Sequence, residues 1–365
     1  MGVKLDPIIQ RRKITFQELK GKIIAVDAPN IIMGLLNFSH KNPTLNKDTN
    51  LILDRTQRVI SHLYGLLYRI KFYYSNNFLP IFCFDGRVSP LKRKITKNQL
   101  NDFLFTQKRY KNAINSGNRE LARRVALSKE YLWPNVMKES KDLLHAIGIP
   151  VVESPASAES QCAHLVKKDI AHYSNSQDFD SILFGCPLLI QNLSKSLRRK
   201  VHGRWTYTRI DPLVVDLRQN LEMLKIDQFQ LVDLAFLLET DYFEGVKGIG
   251  PKTALKFIKE YHRIENIKTN KQKEFNFSQL TRDLILEFRK VFLLPEVLDS
   301  FDHLCWNPPD KMRIFKLLCK DHHLNPERVE KHTKQLSENF YECLQYFQYD
   351  LNRPQTVQKT LDMIF

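Results

Sequence analysis

The sequence predicts an α/β fold in which a parallel sheet core is flanked by helices, and three observations lead there. KGKIIAVD (residues 20–27) and NFLPIFCFD (residues 77–85) are short β-rich runs that each finish on an acid. A helical stretch over residues 51–74 joins them, as a crossover between parallel strands does, and this puts chemistry at the carboxyl edge of the sheet. From Asp216 to near Arg353 the pattern is helical, so the sheet belongs to the first half of the chain.

Between the acid-tipped strands and the next apolar run the character changes. From Arg87 to Lys129 twelve Lys and Arg face only Asp102, Glu120 and Glu130, with Phe103, Phe105 and Tyr110 interleaved. NSGN (residues 115–118) breaks this stretch, which reads as two helices forming a basic arch. A helix then ends at Gly148, IPVVE (residues 149–153) gives another short strand, and residues 169–180 lead into a further strand region. Residues 195–209 look like a basic β-hairpin, and the last dozen residues read as a tail.

The chain has 365 residues, enough for two or three structural units, and 43% hydrophobic content suits a globular protein. Fifty-six Lys and Arg against 40 Asp and Glu leave a net charge of +16, which favours a polyanionic partner. Six cysteines without any C-x-x-C spacing fit reduced thiols better than a disulfide frame or a zinc site. No apolar run reaches bilayer length, and MGVKLD lacks both a signal-peptide core and a myristoylation pattern. The expected location is inside the cell.

Two constellations carry chemistry. Asp27 and Asp85 follow apolar strands, Asp178 and Asp180 are one residue apart, and Asp241 follows a helix in LLETDY. Each alone is as well explained by a turn or a cap, but spread acids converging at sheet ends are what a Mg²⁺ site for phosphoryl transfer needs. In the second, EGVKGIGPKTALKFI (residues 244–258) puts Gly248 and Gly250 in a tight turn and Pro251 at a helix start. Its backbone N–H groups, the helix N-terminus, Lys252 and Lys256 can grip phosphates without reading bases.

Taken together, these motifs resemble the flap endonuclease family, structure-specific 5′ nucleases of the XPG class with a PIN-like core, in an archaeal-type form. The resemblance rests on Met1-Gly-Val, Ala25-Val-Asp, Phe84-Asp-Gly, Gly148-Ile-Pro, SQDFDSILFG (residues 176–185), Thr240-Asp-Tyr, the run from Gly245 into Pro251, and the tail QKTLDMIF (residues 358–365). It implies an α/β PIN-like sheet with a helical arch and a helix–hairpin–helix region, and 5′-flap cleavage with two Mg²⁺ in replication and repair. Asp27, Asp85 and Glu159 would hold the first ion, and Asp178, Asp180 and Asp241 the second. Arg69 and Lys92 would face the scissile phosphate, with Gly2 near the N-terminal amine. Gly248, Gly250, Lys252 and Lys256 would hold duplex DNA with a potassium ion, and Gln358, Leu361, Ile364 and Phe365 would bind the sliding clamp PCNA. It also implies a monomer, in the nucleoid if archaeal and the nucleus if eukaryotic. The boundaries drawn are 1–106 and 131–220 for the nuclease, 107–130 for the rest of the arch, 221–340 for the helical region and 341–365 for the tail.

Four positions depart from the family pattern. Ser157 in ESPASAES stands where the first of two metal-binding glutamates is expected, and Glu153 cannot slide into its place because Pro155 intervenes. Met33 replaces a base-stacking aromatic, Gln99 an arginine of the arch, whose role Lys94 or Lys97 could take, and Glu239 a glycine beside the DNA. Two readings stay open: an active nuclease slowed by Ser157 and Glu239, and a catalytically silent paralogue that binds branched DNA and the clamp.

Overall fold

The computed structural model describes residues 2–36, 51–56, 58–87, 91, 104–113, 115–126, 129–193, 196–201, 204–301 and 304–351. Contacts divide the chain into two units. The first comprises Met1–Asp27, Cys83–Arg93 and Glu153–Ser300; the second comprises Ala28–Phe82, Lys94–Val152 and Phe301–Phe365.

The described strands are β1 (Arg12–Lys13), β2 (Lys22–Asp27), β3 (Phe78–Phe84), β4 (Val151–Glu153), β5 (Tyr173–Asn175), β6 (Leu188–Gln191), β7 (Ser196–Val201), β8 (Arg204–Arg209) and β9 (Leu213–Asp216). Seven of them form one sheet, and β7 with β8 makes the separate hairpin expected over residues 195–209. In the first unit the sheet order is β1-β9-β6-β5-β2. β2, β5 and β6 run parallel, with Val26 opposite Asn175 and Asn175 opposite Ile190. The core is parallel as expected, and at its edge β9 is antiparallel to β6 and β1 to β9. β6 is followed by the β7–β8 hairpin rather than by a crossover helix, and the chain comes back along β6 in the opposite direction.

The helix Ala158–Lys167 packs on β2 and β5, burying Cys162, Leu165 and Val166. Deeper in the same unit an aromatic cluster forms, with Phe236 stacked on Phe288 at 4.2 Å, Phe236 4.7 Å from Phe243, and Tyr242 5.1 Å from Phe292.

The second unit is built on the helix Ser61–Ser75, which packs against the helices Ala28–Leu36, Lys129–Ile147 and Pro326–Leu351. It starts ten residues later than the stretch over 51–74 suggests. Asp54 Oδ1 accepts the N–H groups of Thr56 and Arg58 at 2.8 and 2.9 Å, and a bridge pairs Leu53 with Val59. An Asp that satisfies nearby backbone in this way offers the chain a turn in competition with the helix. The two helices expected of the arch are present at residues 104–113 and Arg119–Ala126, and Gly117 between them takes φ +67°.

Candidate metal centre and DNA-binding segment

All the acids assigned to metal binding lie in the first unit. The parallel register of β2 and β5 makes the chain leave both strands side by side, at Asp27 and Ser176. Ser176 Oγ donates to Asp27 Oδ2 at 2.8 Å and accepts the Asp178 N–H at 3.3 Å. One hydroxyl thus ties the carboxylate of Asp27, at the end of β2, to the backbone of Asp178 after β5. The sequence hint was there, since serine two residues before an Asp commonly closes such a turn.

The N-terminal segment lies on this pair. Val3 N–H donates to Asp180 Oδ1 at 2.8 Å. A Cβ on Gly2 would come within 2.5 Å of Asp178 Cβ and 2.9 Å of Asp180 Oδ1, so only glycine fits the approach. Asp27, at the end of β2, and Asp180, at the start of the helix Asp180–Leu183, are 2% and 1% exposed, and burying two carboxylates carries a desolvation cost that a bound cation would offset.

Asp85 is held by a second set of contacts. Ser154 N–H donates to Phe84 O at 2.9 Å, Gly86 N–H to Ala156 O at 2.8 Å and Arg87 N–H to Pro155 O at 2.9 Å, so residues 84–87 run along 154–156. The two chains are so close that a Cβ on Gly86 would sit 1.8 Å from Ser154 O. Asp85 Oδ1 then accepts the Ala158 N–H at 2.8 Å, at the start of the helix that carries half-buried Glu159 in its first turn.

Ser157 has a different job from the glutamate it replaces. It is the N-cap of that helix, with extended backbone (φ −91°, ψ 148°), and its Oγ accepts the Ser160 N–H at 3.1 Å. The hydroxyl at this departed position is a helix cap, 8% exposed. Glu153 is exposed at the end of β4.

Asp241 sits in a loop closed on both sides. Thr240 pairs with Phe243 as an isolated bridge, and Thr240 Oγ1 accepts the N–H groups of Tyr242 and Phe243 at 3.2 and 3.1 Å. Gly245, at φ +74°, presses on the backbone of Leu238 and Glu239, where a Cβ would approach to 2.5 and 2.6 Å. Tyr242 anchors the loop in the aromatic cluster. Glu239 is exposed and pairs with Lys4 at 3.8 Å, a partner that sequence reasoning missed because the two are far apart in the chain.

Among the described residues no three His, Cys, Asp or Glu side chains converge as a ready-made metal cage. The acids are hard oxygen donors of the kind that divalent ions such as Mg²⁺ take, held together with bound waters, unlike the closed Cys and His cages of structural zinc.

The helix–hairpin–helix segment follows the Asp241 loop. Gly248 takes φ +90°, Ile249 is buried, and Gly250 is the N-cap of Pro251–Tyr261 with proline in its first turn. Ala254, Phe257 and Ile258 turn inward, leaving Lys252 and Lys256 exposed beside Lys259. Arg69 and Met33 are half-buried in the second unit, on the helices Ser61–Ser75 and Ala28–Leu36. Lys92, Lys94, Lys97, Gln99 and the tail residues Gln358, Leu361, Ile364 and Phe365 lie outside the described residues.

The XPG N-terminal domain matches residues 1–102 and the XPG I-region residues 148–241. Flap endonuclease 1 of Nanoarchaeum equitans is 38% identical over 353 residues, covering 92% of this chain and 95% of that one. The chain belongs to the flap endonuclease family. Flap endonuclease 1 of Methanosarcina acetivorans is 32% identical over 336 residues, covering 92% and 96%. The solved flap endonuclease-1 of Methanococcus jannaschii superposes with a TM-score of 0.70 at 26% identity, over 93% of this chain and 99% of that one. The catalytic core of Rad2 in complex with DNA shares the fold, with a TM-score of 0.64 at 22% identity, over 91% and 97%. The family fold accounts for the α/β sheet flanked by helices. No helix among the described residues is long and apolar enough to cross a membrane.

Proposed function

We propose that this chain is a structure-specific 5′-flap DNA endonuclease with accompanying 5′–3′ exonuclease action, working as a monomer with two Mg²⁺ in DNA replication and repair. The observation that supports the proposal is the hydrogen-bond network in which Ser176 joins the Asp27 carboxylate to the Asp178 backbone and Val3 N–H holds Asp180, while Asp85 binds the start of the helix that carries Glu159.

Two divalent ions would supply an activated water and charge stabilisation for in-line displacement at the phosphate. The chain's own part is to hold the carboxylates. Asp27, Asp85 and Glu159 would serve one ion and Asp178, Asp180 and Asp241 the other. Gly2 leaves room at the second group, and Arg69 and Lys92 would steady the scissile phosphate. Gly248, Gly250, Lys252 and Lys256 would grip the unbroken duplex, with a potassium ion in the turn. Gln358, Leu361, Ile364 and Phe365 would engage the sliding clamp. The protein would act in the nucleoid or nucleus.

The capping role of Ser157 favours a second reading, a silent paralogue that binds branched DNA and the clamp, because the site has a hydroxyl committed to its own helix in place of a carboxylate. One assay separates them: cleavage of 5′-flap DNA with Mg²⁺ by the natural chain, Ser157→Glu and Asp180→Ala. Cleavage that Asp180→Ala abolishes supports the nuclease; its absence in the natural chain and recovery in Ser157→Glu supports the paralogue.

A further inference from the structure

We infer that Glu239 limits DNA engagement by holding Lys4, so that Lys4 is a phosphate contact withheld while their ion pair is closed. The inference rests on the nuclease reading above and adds a specificity-determining pair to it.

The position of the pair carries the argument. Lys4 follows Val3, whose N–H donates to Asp180, and Gly2, which lies against Asp178. Glu239 comes two residues before Asp241, in the loop backed by Gly245. The pair therefore links the segment lying on one acidic group to the loop that carries the remaining acid. Lys4 is thus close in the chain to the residues against Asp178 and Asp180, and Glu239 to Asp241, one attractive to a phosphodiester and one repulsive.

The pair stands apart from the packing of the loop. Nζ and Oε2 are 3.8 Å apart, near the limit for an ion pair, and the side chains are 78% and 70% exposed. Exposed pairs of this kind contribute little to the fold and are screened by salt. Neither side chain is packed, so substituting either one leaves the loop's anchors at Thr240, Tyr242 and Gly245 in place. What the pair controls is whether the ammonium is available to a phosphate.

The test uses the full chain and a labelled 5′-flap duplex, with binding followed by fluorescence anisotropy in Ca²⁺ at several KCl concentrations. A freed lysine adds one phosphate contact, so Glu239→Gln should tighten binding and steepen the slope of log K against log salt by about 0.9. Its advantage over the natural chain should then shrink about three- to fourfold between roughly 50 and 200 mM salt. Lys4→Gln alone should leave the slope near that of the natural chain, and Lys4→Gln combined with Glu239→Gln should return it there. An unchanged slope in Glu239→Gln overturns the inference. So does a double variant that keeps the steeper slope, since Glu239 would then act by repulsion alone. Failure of every variant to bind flap DNA overturns the nuclease reading instead, and this one with it.

Discussion

The carboxylate of Asp85 accepts the backbone N–H of Ala158 at 2.8 Å, so a residue assigned to metal binding also closes the start of the helix that bears Glu159. Asp85→Asn keeps an oxygen for that N–H and removes only the charge. We expect its thermal midpoint to stay close to that of the natural chain while Mg²⁺ affinity, measured by calorimetric titration, drops at least about 10–100-fold. A matching loss of stability would show that the cap, and not the ion, is its main role.

Ser157 gives the complementary case. Its Oγ caps the same helix, so Ser157→Ala should lower unfolding free energy by about 1 kcal/mol in urea titration. Ser157→Asp preserves a capping acceptor and adds a carboxylate. It should recover the stability lost in the alanine variant and raise Mg²⁺-dependent cleavage.

Acid stability should depend on a buried cluster in the second unit. Glu139 accepts from His62 Nε2 at 2.9 Å and lies 3.3 Å from His322 Nε2, while His322 Nδ1 lies 3.7 Å from Asp54, itself bound to Arg58. Burial pushes the Glu139 carboxyl upward, but its hydrogen bonds to His322 and His62 outweigh this and bring it down to about 2. Burial also lowers the pKa of His62 below its usual 6.5. Both folded values lie below the unfolded ones, so the unfolded chain binds more protons and stability rises with pH. The His62 contribution is full above 6.5 and is lost as pH falls below it; the Glu139 contribution is full above 4.5 and is lost on the way to about 2. Urea midpoints measured against pH should show both losses. Glu139→Gln should flatten the limb below pH 4.5.

Arg289 joins two acids in the first unit, pairing with Asp233 at 2.7 Å and Glu265 at 2.6 Å, and Asp233 is 1% exposed. Asp233 also accepts the Ile264 N–H at 3.1 Å, fixing the helix that follows Pro251–Tyr261. Asp233→Ala leaves a nearly buried guanidinium with one partner fewer, and should cost about 3–5 kcal/mol in chemical unfolding. A cost under about 1 kcal/mol would mean that Glu265 alone satisfies Arg289.

The strand ends and the turn that place the candidate site could be read from residues because those positions need particular residue types. Apolar runs ending on Asp27 and just before Asp85 marked strand ends, and GIGP marked a turn into a helix, since few other residues adopt φ +90° or start a helix without an N–H. Ser176, Lys4 and the cap at Ser157 were hidden for different reasons. The first two act on residues remote in sequence or across a turn, and the third is a common residue whose hydroxyl can serve either a metal or a helix. The antiparallel edge was hidden too, because strand direction depends on how the connection returns and not on the strand's own residues.

By itself the sequence determined the family, the strand ends on which Asp27 and Asp85 stand and the turn at Gly248, because these are matters of residue type and local spacing. Tertiary structure alone decided that Ser176 joins Asp27 to Asp178, that Ser157 serves the helix, and that Glu239 holds Lys4. Each of those outcomes depends on which of several possible hydrogen-bond or charge partners lies within reach, and reach is set by the register of β2 on β5 and by the packing of the loops around them.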